Sequence, residues 1–375
     1  MADFGEFIEQ FSVLRDPRVD RTKRHILIDI LFMGVCTVLC GGEGFTDMED
    51  FSTMREEWLR QYLELPGGIP SHDTFRRVFS ILDPSALTEC FMRWSESLHE
   101  ATNGEVIALD GKTIRHSFDK ASGQPALHII SAWASENGLA LGHVKVDDKT
   151  NEIRALPELL KMLSIRGRTI TMDAMGCQKE LAEQIVDLGG DYVLCVKANQ
   201  FALHEDVKWF FGECEDFSGV EHTYYEGVEK DHGRIEVRKC WAVEGEAKWL
   251  GFGEEWKGLR SIAALRGERI IGGKRSAETR YYISSLPGDA KKISLAVREH
   301  WAIENSLHWV LDVTMNEDMS RVRKDNAPEN MATLRRIGLN ILSKDKTQMK
   351  GRPSMRRRMK RAAWAGDYLA QLLVN

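Results

Sequence analysis

The chain has 375 residues, room for two or three domains, and its 43% hydrophobic and 29% charged residues are the balance of a globular protein. Its longest apolar run, about Ile26 to Cys40, is interrupted by Asp29 and is too short for a bilayer, and the acidic start MADFGEFIEQ lacks a basic flank before an apolar stretch, so no membrane span and no secretory leader are expected. The formal net charge of −6 speaks against a chain basic all over, yet between residues 344 and 361 Lys344, Lys346, Lys350, Arg352, Arg356, Arg357, Arg358, Lys360 and Arg361 face Asp345 alone, and phosphate binding needs only a local basic surface.

Residues 1–100 read as an all-α domain. Ile26 to Leu39 has helical length, and Asp47 to Tyr62 is amphipathic and ends near Pro66-Gly67-Gly68. Ser71 is placed to cap a helix carrying Arg76 and Arg77 among aromatics, and Asp83-Pro84-Ser85 stops it and starts the next, to about Leu98. The pattern then changes. Val106 to Leu109 is a short apolar run suited to a buried strand, and His128–Ala134 and Leu139–Val146 read as two more strands around an Asn137-Gly138 turn. A helix over 152–163, a strand at Thr169–Met172, a helix from Lys179 to Leu188 and a strand at Tyr192–Val196 complete an α/β order. Residues 200–280 interrupt it with β-like pieces, among them Ile235–Trp241 and Ser261–Leu265. Tyr281–Ile283 returns to a strand, and Ile293–Val313 reads as one long helix. The expected organisation is a helical domain at 1–100, a core at 104–199, a β-rich insertion at 200–280, the rest of the core at 281–345, and a basic tail with a helix at 346–375. Seven cysteines, at positions 36, 40, 90, 177, 195, 214 and 240, lack paired zinc spacing and read as reduced core residues of a cytoplasmic protein.

Three acids carry the chemistry. Asp110 directly follows the strand at 106–109, and Asp173 directly follows the strand at 169–172. Ligands of open α/β sheets bind outside the carboxyl ends of the strands. Two carboxylates converging there repel, and a divalent cation relieves them; oxygen donors suit Mg²⁺ or Mn²⁺. Either Asp alone could simply end a strand and cap a turn. Glu304 is the third. At 100° per residue it shares a helix face with Val297, Trp301, His308 and Leu311, which predicts a carboxylate set among apolar groups and in need of a cation. Pairing with Arg298, His300 or His308 is the alternative, and Asp312 could support the site from behind.

With these residues in view, the chain resembles the DDE insertion-sequence transposases, specifically the group with the H-repeat-associated proteins, over nearly its whole length. Gly68-Ile69-Pro70-Ser71-His72-Asp73-Thr74-Phe75 is similar to that group's N-terminal associated domain. Ala108-Leu109-Asp110-Gly111-Lys112-Thr113 resembles the segment bearing the first catalytic aspartate, Thr171-Met172-Asp173-Ala174 the second, and His300-Trp301-Ala302-Ile303-Glu304-Asn305 with Leu307-His308-Trp309 the glutamate segment. Asp231-His232-Gly233-Arg234-Ile235-Glu236 resembles a motif of the β-rich insertion. The wider superfamily's Tyr, Arg, Glu, Lys pattern on the last helix is not kept: Val297, His300 and Leu311 stand at the Tyr, Arg and Lys positions.

The resemblance implies an RNase H-like core interrupted by a β-rich insertion. It also implies dependence on Mg²⁺ or Mn²⁺, recognition of double-stranded DNA at terminal inverted repeats, and at least a homodimer when two ends are paired. Asp110 is expected to bridge two ions, with Asp173 on one and Glu304 on the other. A 3′-hydroxyl freed at the element's end would then attack target DNA, with no covalent protein–DNA intermediate. DNA contacts are expected from Lys112 and Lys197 beside the strand ends, His232 and Arg234 in the insertion, His300 and His308 in place of lost phosphate contacts, and Arg356, Arg357 and Arg358 in the basic run. Solvated or structural roles for these residues stay open, as does a base-stacking wedge among Trp209, Trp241 and Trp256 against plain core packing. A transposase that only binds DNA, or a nuclease without a joining step, are the alternative functions.

Overall fold

A computed structural model describes residues 5–99, 102, 104–119, 123–146, 152–213, 220–231, 233–245, 255–347, 351 and 353–374. Six helices come first: α1 (Gly5–Phe11), α2 (Leu27–Leu39), α3 (Phe45–Met54), α4 (Glu56–Leu59), α5 (His72–Ile81) and α6 (Pro84–Leu98). α2 is apolar on every side and buried almost throughout, as the central helix of a bundle must be. α6 starts as its sequence predicts: the Asp83 carboxylate accepts from the Ser85 N–H, with Pro84 in the first turn. The amphipathic stretch expected at Asp47–Tyr62 is two helices rather than one. Arg55 leaves the helical conformation between them and donates to the Ala363 carbonyl at 2.7 Å. Nor does Ser71 cap α5; its hydroxyl meets that of Thr74, and the Glu49 carboxylate accepts the His72 N–H at 2.9 Å instead.

One nine-stranded mixed sheet follows. Its strands are β1 (Val106–Thr113), β2 (His128–Ala134), β3 (Leu139–Val146), β4 (Thr169–Met172), β5 (Asp191–Val196), β6 (His222–Asp231), β7 (Arg234–Glu244), β8 (Ser261–Ile271) and β9 (Lys274–Ser284), in the order β3-β2-β1-β4-β5-β9-β8-β7-β6. β1, β2 and β3 pair antiparallel, β4 and β5 run parallel to β1, and β9 joins β5 antiparallel. Helices α7 (Glu152–Met162), α8 (Lys179–Asp187), α9 (Phe201–Glu213) and α10 (Ala290–His300) connect or cover the strands. The strands of the expected insertion extend the same sheet across the β5–β9 pair, and β9 spans residue 280.

The helix expected over Ile293–Val313 ends as an α-helix at His300. Two π-helical turns continue it, Glu304–His308 and Val310–Thr314, the first closed by the Trp309 N–H donating to the Glu304 carbonyl. Helices α11 (Ala327–Ser343), α12 (Met355–Trp364) and α13 (Gly366–Val374) then return to the N-terminal bundle. α11 packs closely against α2 at a glycine: a Cβ on Gly34 would stand 3.0 Å from Leu334 Cδ2, which would have to shift to admit it. A single apolar core runs from this bundle into the sheet, so the helical region at 1–100 shares its core with the strands and the C-terminal helices. From Met355 onward the basic run lies in α12, with Met359 and Ala362 buried. No helix among the described residues is long and apolar enough to cross a membrane.

Candidate active site

Asp110 and Asp173 are brought together by strand pairing. β1 and β4 register from Val106 opposite Thr169 to Leu109 opposite Met172, so Asp110, the next residue of β1, and Asp173, just past the end of β4, leave neighbouring strands side by side. The pleat sends Asp110 and Lys112 to the face covered by α10 and the π turns, and Gly111 and Thr113 to the face covered by α7. Across the first face, the π turn delivers Glu304. Ligand atoms of Asp110, Glu304 and His308 all lie within 4.8 Å of one another. His308 Nδ1 stands 3.4 Å from Asp110 Oδ2 and 3.7 Å from Glu304 Oε2.

Glu304 is not sunk among apolar groups. Its side chain is 53% exposed and Trp301 is also partly exposed, while Val297, His308 and Leu311 are buried. The expectation of a carboxylate inside an apolar face fails: the buried stripe runs through Val297, Ile303, Leu307 and Val310, and Glu304 stands at its edge.

Electrostatics separates the three acids. Burial pushes the Asp110 carboxyl up to about 6; His308 and His300 oppose the rise, and Glu304 and Asp173 add to it. His300 beside Asp173 holds that carboxyl below its usual range, and His308 does the same for Glu304. His300 is itself fixed: the Thr171 hydroxyl lies 3.1 Å from its Nδ1, and its Nε2 stands 3.7 Å from Asp173 Oδ1. A raised aspartate among other carboxylates is the arrangement that a divalent cation stabilises, and the donors are of the kind Mg²⁺ or Mn²⁺ accepts. The residues present therefore fit such an ion.

A cavity of about 500 Å³ opens at the strand ends, lined by Asp110, Gly111, Glu152, Asp173, Lys197 and Asn199 among others. Lys197, just past β5, is exposed at this cavity. Glu152 enters from the far side. Its carboxylate meets His128 Nε2 at 2.6 Å, and His128 Nδ1 lies 2.8 Å from the Thr113 hydroxyl. A Cβ at position 111 would come within 3.0 Å of both Glu152 Oε1 and His128 Nε2, which is why glycine follows Asp110. On the other side of Glu304 lies a groove of about 660 Å³ along the β-rich extension, where Arg234, Arg238, Arg269 and Arg280 project beside Trp301 and Asn305. The guanidinium of Arg280 stacks 4.7 Å from the Trp301 ring.

Other expected contacts find different places. Lys112 does not reach the cavity: its ammonium is buried between Asp312 and Glu317, 2.6 Å from Glu317 Oε2. Glu317 also faces Arg336 at 3.4 Å, and Arg336 donates to the Ser131 hydroxyl at 3.2 Å. Arg335 and Arg336 lie buried in the apolar stretch of α11 and call for an acid opposite them, but nothing local in the sequence says which acid answers. His308 is buried against the carboxylates rather than displayed to solvent. Arg234 is exposed and paired with Glu236 at 3.0 Å. Arg356 and Arg357 are exposed, whereas Arg358 donates to the Leu342 carbonyl and lies 3.5 Å from Asp345. Trp256 is core, Trp241 is half-buried and Trp209 is exposed. His232 lies outside the described residues.

Comparison with known proteins gives the family. Residues 8–95 match the family described as DDE_Tnp_1-associated, and residues 101–341 match "Transposase DDE domain". The "H repeat-associated putative transposase YhhI" of Escherichia coli K12 is 42% identical over 100% of this chain and 99% of its own length. The "Putative transposase YncI" of Escherichia coli O157:H7 is 42% identical over 98% of this chain and 94% of its own. A distant structural likeness, TM-score 0.40 and 14% identity over 98% of this chain and 76% of the other, is to a piggyBac transposase synaptic complex with hairpin DNA. With the DDE domain matched across most of its length and relatives aligned end to end, the chain belongs to the DDE transposase family.

Proposed function

We propose that the protein is an insertion-sequence transposase that cuts DNA at terminal inverted repeats and joins the freed 3′-hydroxyl to target DNA, with Asp110, Asp173 and Glu304 as its catalytic carboxylates. The observation that carries this reading is the convergence of Asp110 and Glu304 within 4.8 Å, with Asp173 on the adjoining strand end. The strand order β3-β2-β1-β4-β5, three antiparallel and two parallel to the first, supports an RNase H-like core. Asp110, Asp173 and Glu304 would hold Mg²⁺ or Mn²⁺, and when bound such ions supply charge stabilisation to the attacking and leaving oxygens of a phosphodiester.

The chain's own groups prepare the rest. His300, fixed by Thr171, orients the Asp173 carboxylate. Asp110, raised to about 6, is mostly ionised at neutral pH and takes up a proton only as the pH falls through that value. Lys197 at the cavity mouth offers a cation to a phosphate oxygen, and the arginines along the β-rich groove offer a backbone track leading to Glu304. Those arginines are paired with glutamates of the same or neighbouring strands, such as Glu236 with Arg234 and Arg269, so a DNA phosphate would take the place of a carboxylate already there.

The test is nicking of a duplex carrying the element's end in Mg²⁺. The wild type should cut it, and Asp173→Asn should bind equally and not cut. Precut ends should give strand-transfer products with the wild type. Binding without cleavage by either protein would favour a DNA-binding role alone, and cleavage without joined products would favour a nuclease.

A further inference from the structure

Asp173 has its own histidine, held in place by Thr171. The histidine beside Asp110 and Glu304 is held differently. His308 sits four residues after Glu304 in the same π turn, a wide winding that concentrates at functional sites. Its side chain is only 8% exposed. An imidazole buried for packing hydrogen-bonds through its ring nitrogens, at about 2.7–3.2 Å. Here Nδ1 stands 3.4 and 3.7 Å from the two carboxylate oxygens, outside that range, and the buried Nε2 has no hydrogen-bond partner among the described residues. The spacing lies instead within that of donors around one ion: ligands about 2.1 Å from an ion stand roughly 3–3.5 Å apart at cis octahedral or tetrahedral positions and up to about 4.2 Å apart when trans.

We propose that His308 Nδ1 is a metal ligand, completing with Asp110 and Glu304 a mixed oxygen–nitrogen site that favours Mn²⁺ over Mg²⁺. The inference rests on the carboxylate metal site proposed above and adds a donor to it. Mg²⁺ is a hard ion that takes oxygen, whereas an imidazole nitrogen is better accommodated by a transition ion. Asp173 stands outside this triplet, engaged with His300, and is left for an oxygen-only position.

The test is metal binding, read without catalysis. Full-length protein is titrated with Mn²⁺ and with Mg²⁺ by calorimetry, and the Mn²⁺-loaded protein is examined by pulsed electron paramagnetic resonance for coupling to ¹⁴N. The wild type should show ¹⁴N coupling and bind Mn²⁺ about tenfold or more tighter than Mg²⁺. His308→Gln should lose the coupling and about 10–100-fold in Mn²⁺ affinity, with a much smaller change for Mg²⁺. His300→Gln should keep the coupling. Absence of ¹⁴N coupling in the wild type would overturn the proposal whether or not the variant folds. So would coupling or Mn²⁺ affinity that survives in a His308→Gln protein with wild-type thermal unfolding. If Asp110→Asn and Glu304→Gln both bind Mn²⁺ as the wild type does, the carboxylate site itself fails, and this inference with it.

Discussion

Glu317 shows how a residue with no expected role can govern the site. It is fully buried, and burial alone would raise its carboxyl; Lys112, Arg336 and Arg335 around it outweigh that and hold it near about 2. Through Lys112 it ties the strand of Asp110 to the segment after Glu304, and through Arg336 to α11. Removing one partner of a buried ion group leaves the others uncompensated, at a cost of about 3–5 kcal/mol. Glu317→Gln should therefore lower stability by about that amount at neutral pH, measured from denaturant midpoints. The sign of the pH effect follows from the depressed value. The folded carboxyl titrates below the unfolded 4.5, so its contribution is full above pH 4.5 and fades as pH falls toward about 2. The gap between wild type and variant should shrink across that window; a gap that stays constant would show that Glu317 is not charged in the folded protein. Asp110 and Asp173 could be found in the sequence because each directly follows a short apolar strand. The Glu317 hub could not, because its partners lie about 200 residues apart and no local pattern couples Lys112 to Glu317.

Among the elements, the short strands β1 to β5 were readable because each is an apolar run bounded by polar or glycine residues. β9 was only partly so: its first half, around Lys274 to Glu278, is exposed and charged and carries no hydrophobic signal. The π turns escaped because the 3.6-residue pattern of Val297, Trp301, Glu304 and His308 is the same whether or not the backbone widens. The α2–α11 contact escaped too, since a glycine inside an apolar helix does not announce what approaches it. That contact gives a prediction at this scale. A Cβ at Gly34 would meet Leu334, Phe79 and Met48 at 3.0, 3.4 and 3.5 Å. Gly34→Val should cost about 1–3 kcal/mol by overpacking. Paired with Leu334→Ala, it should cost less than the two single changes summed, because the truncated leucine makes room. Strict additivity in thermal or denaturant unfolding would mean the helices are not in contact there.

Over the whole molecule, a net charge of −6 coexists with two surfaces on which arginines gather, the first of them interleaved with glutamates. The β-rich groove beside Glu304 is one such surface, and α12 is the other. Its arginines divide by location. Arg358 is spent inside the fold, donating to the last turn of α11 and lying beside Asp345, while Arg356 and Arg357 are exposed. Counterion release makes the two roles separable in solution, since each phosphate neutralised contributes about 0.9 to the slope of log affinity against log salt. If α12 tracks DNA backbone, the double variant Arg356→Ala/Arg357→Ala should lower that slope by up to about 1.8 and shift thermal unfolding less than Arg358→Ala does. Arg358→Ala should do the reverse, lowering the unfolding temperature with little change in slope, because its guanidinium serves the helix end and not the ligand. A fluorescence-anisotropy titration of repeat-end duplex across a salt series reads both. An unaltered slope in the double variant would remove α12 from the DNA path and leave the groove beside Glu304 to account for backbone binding.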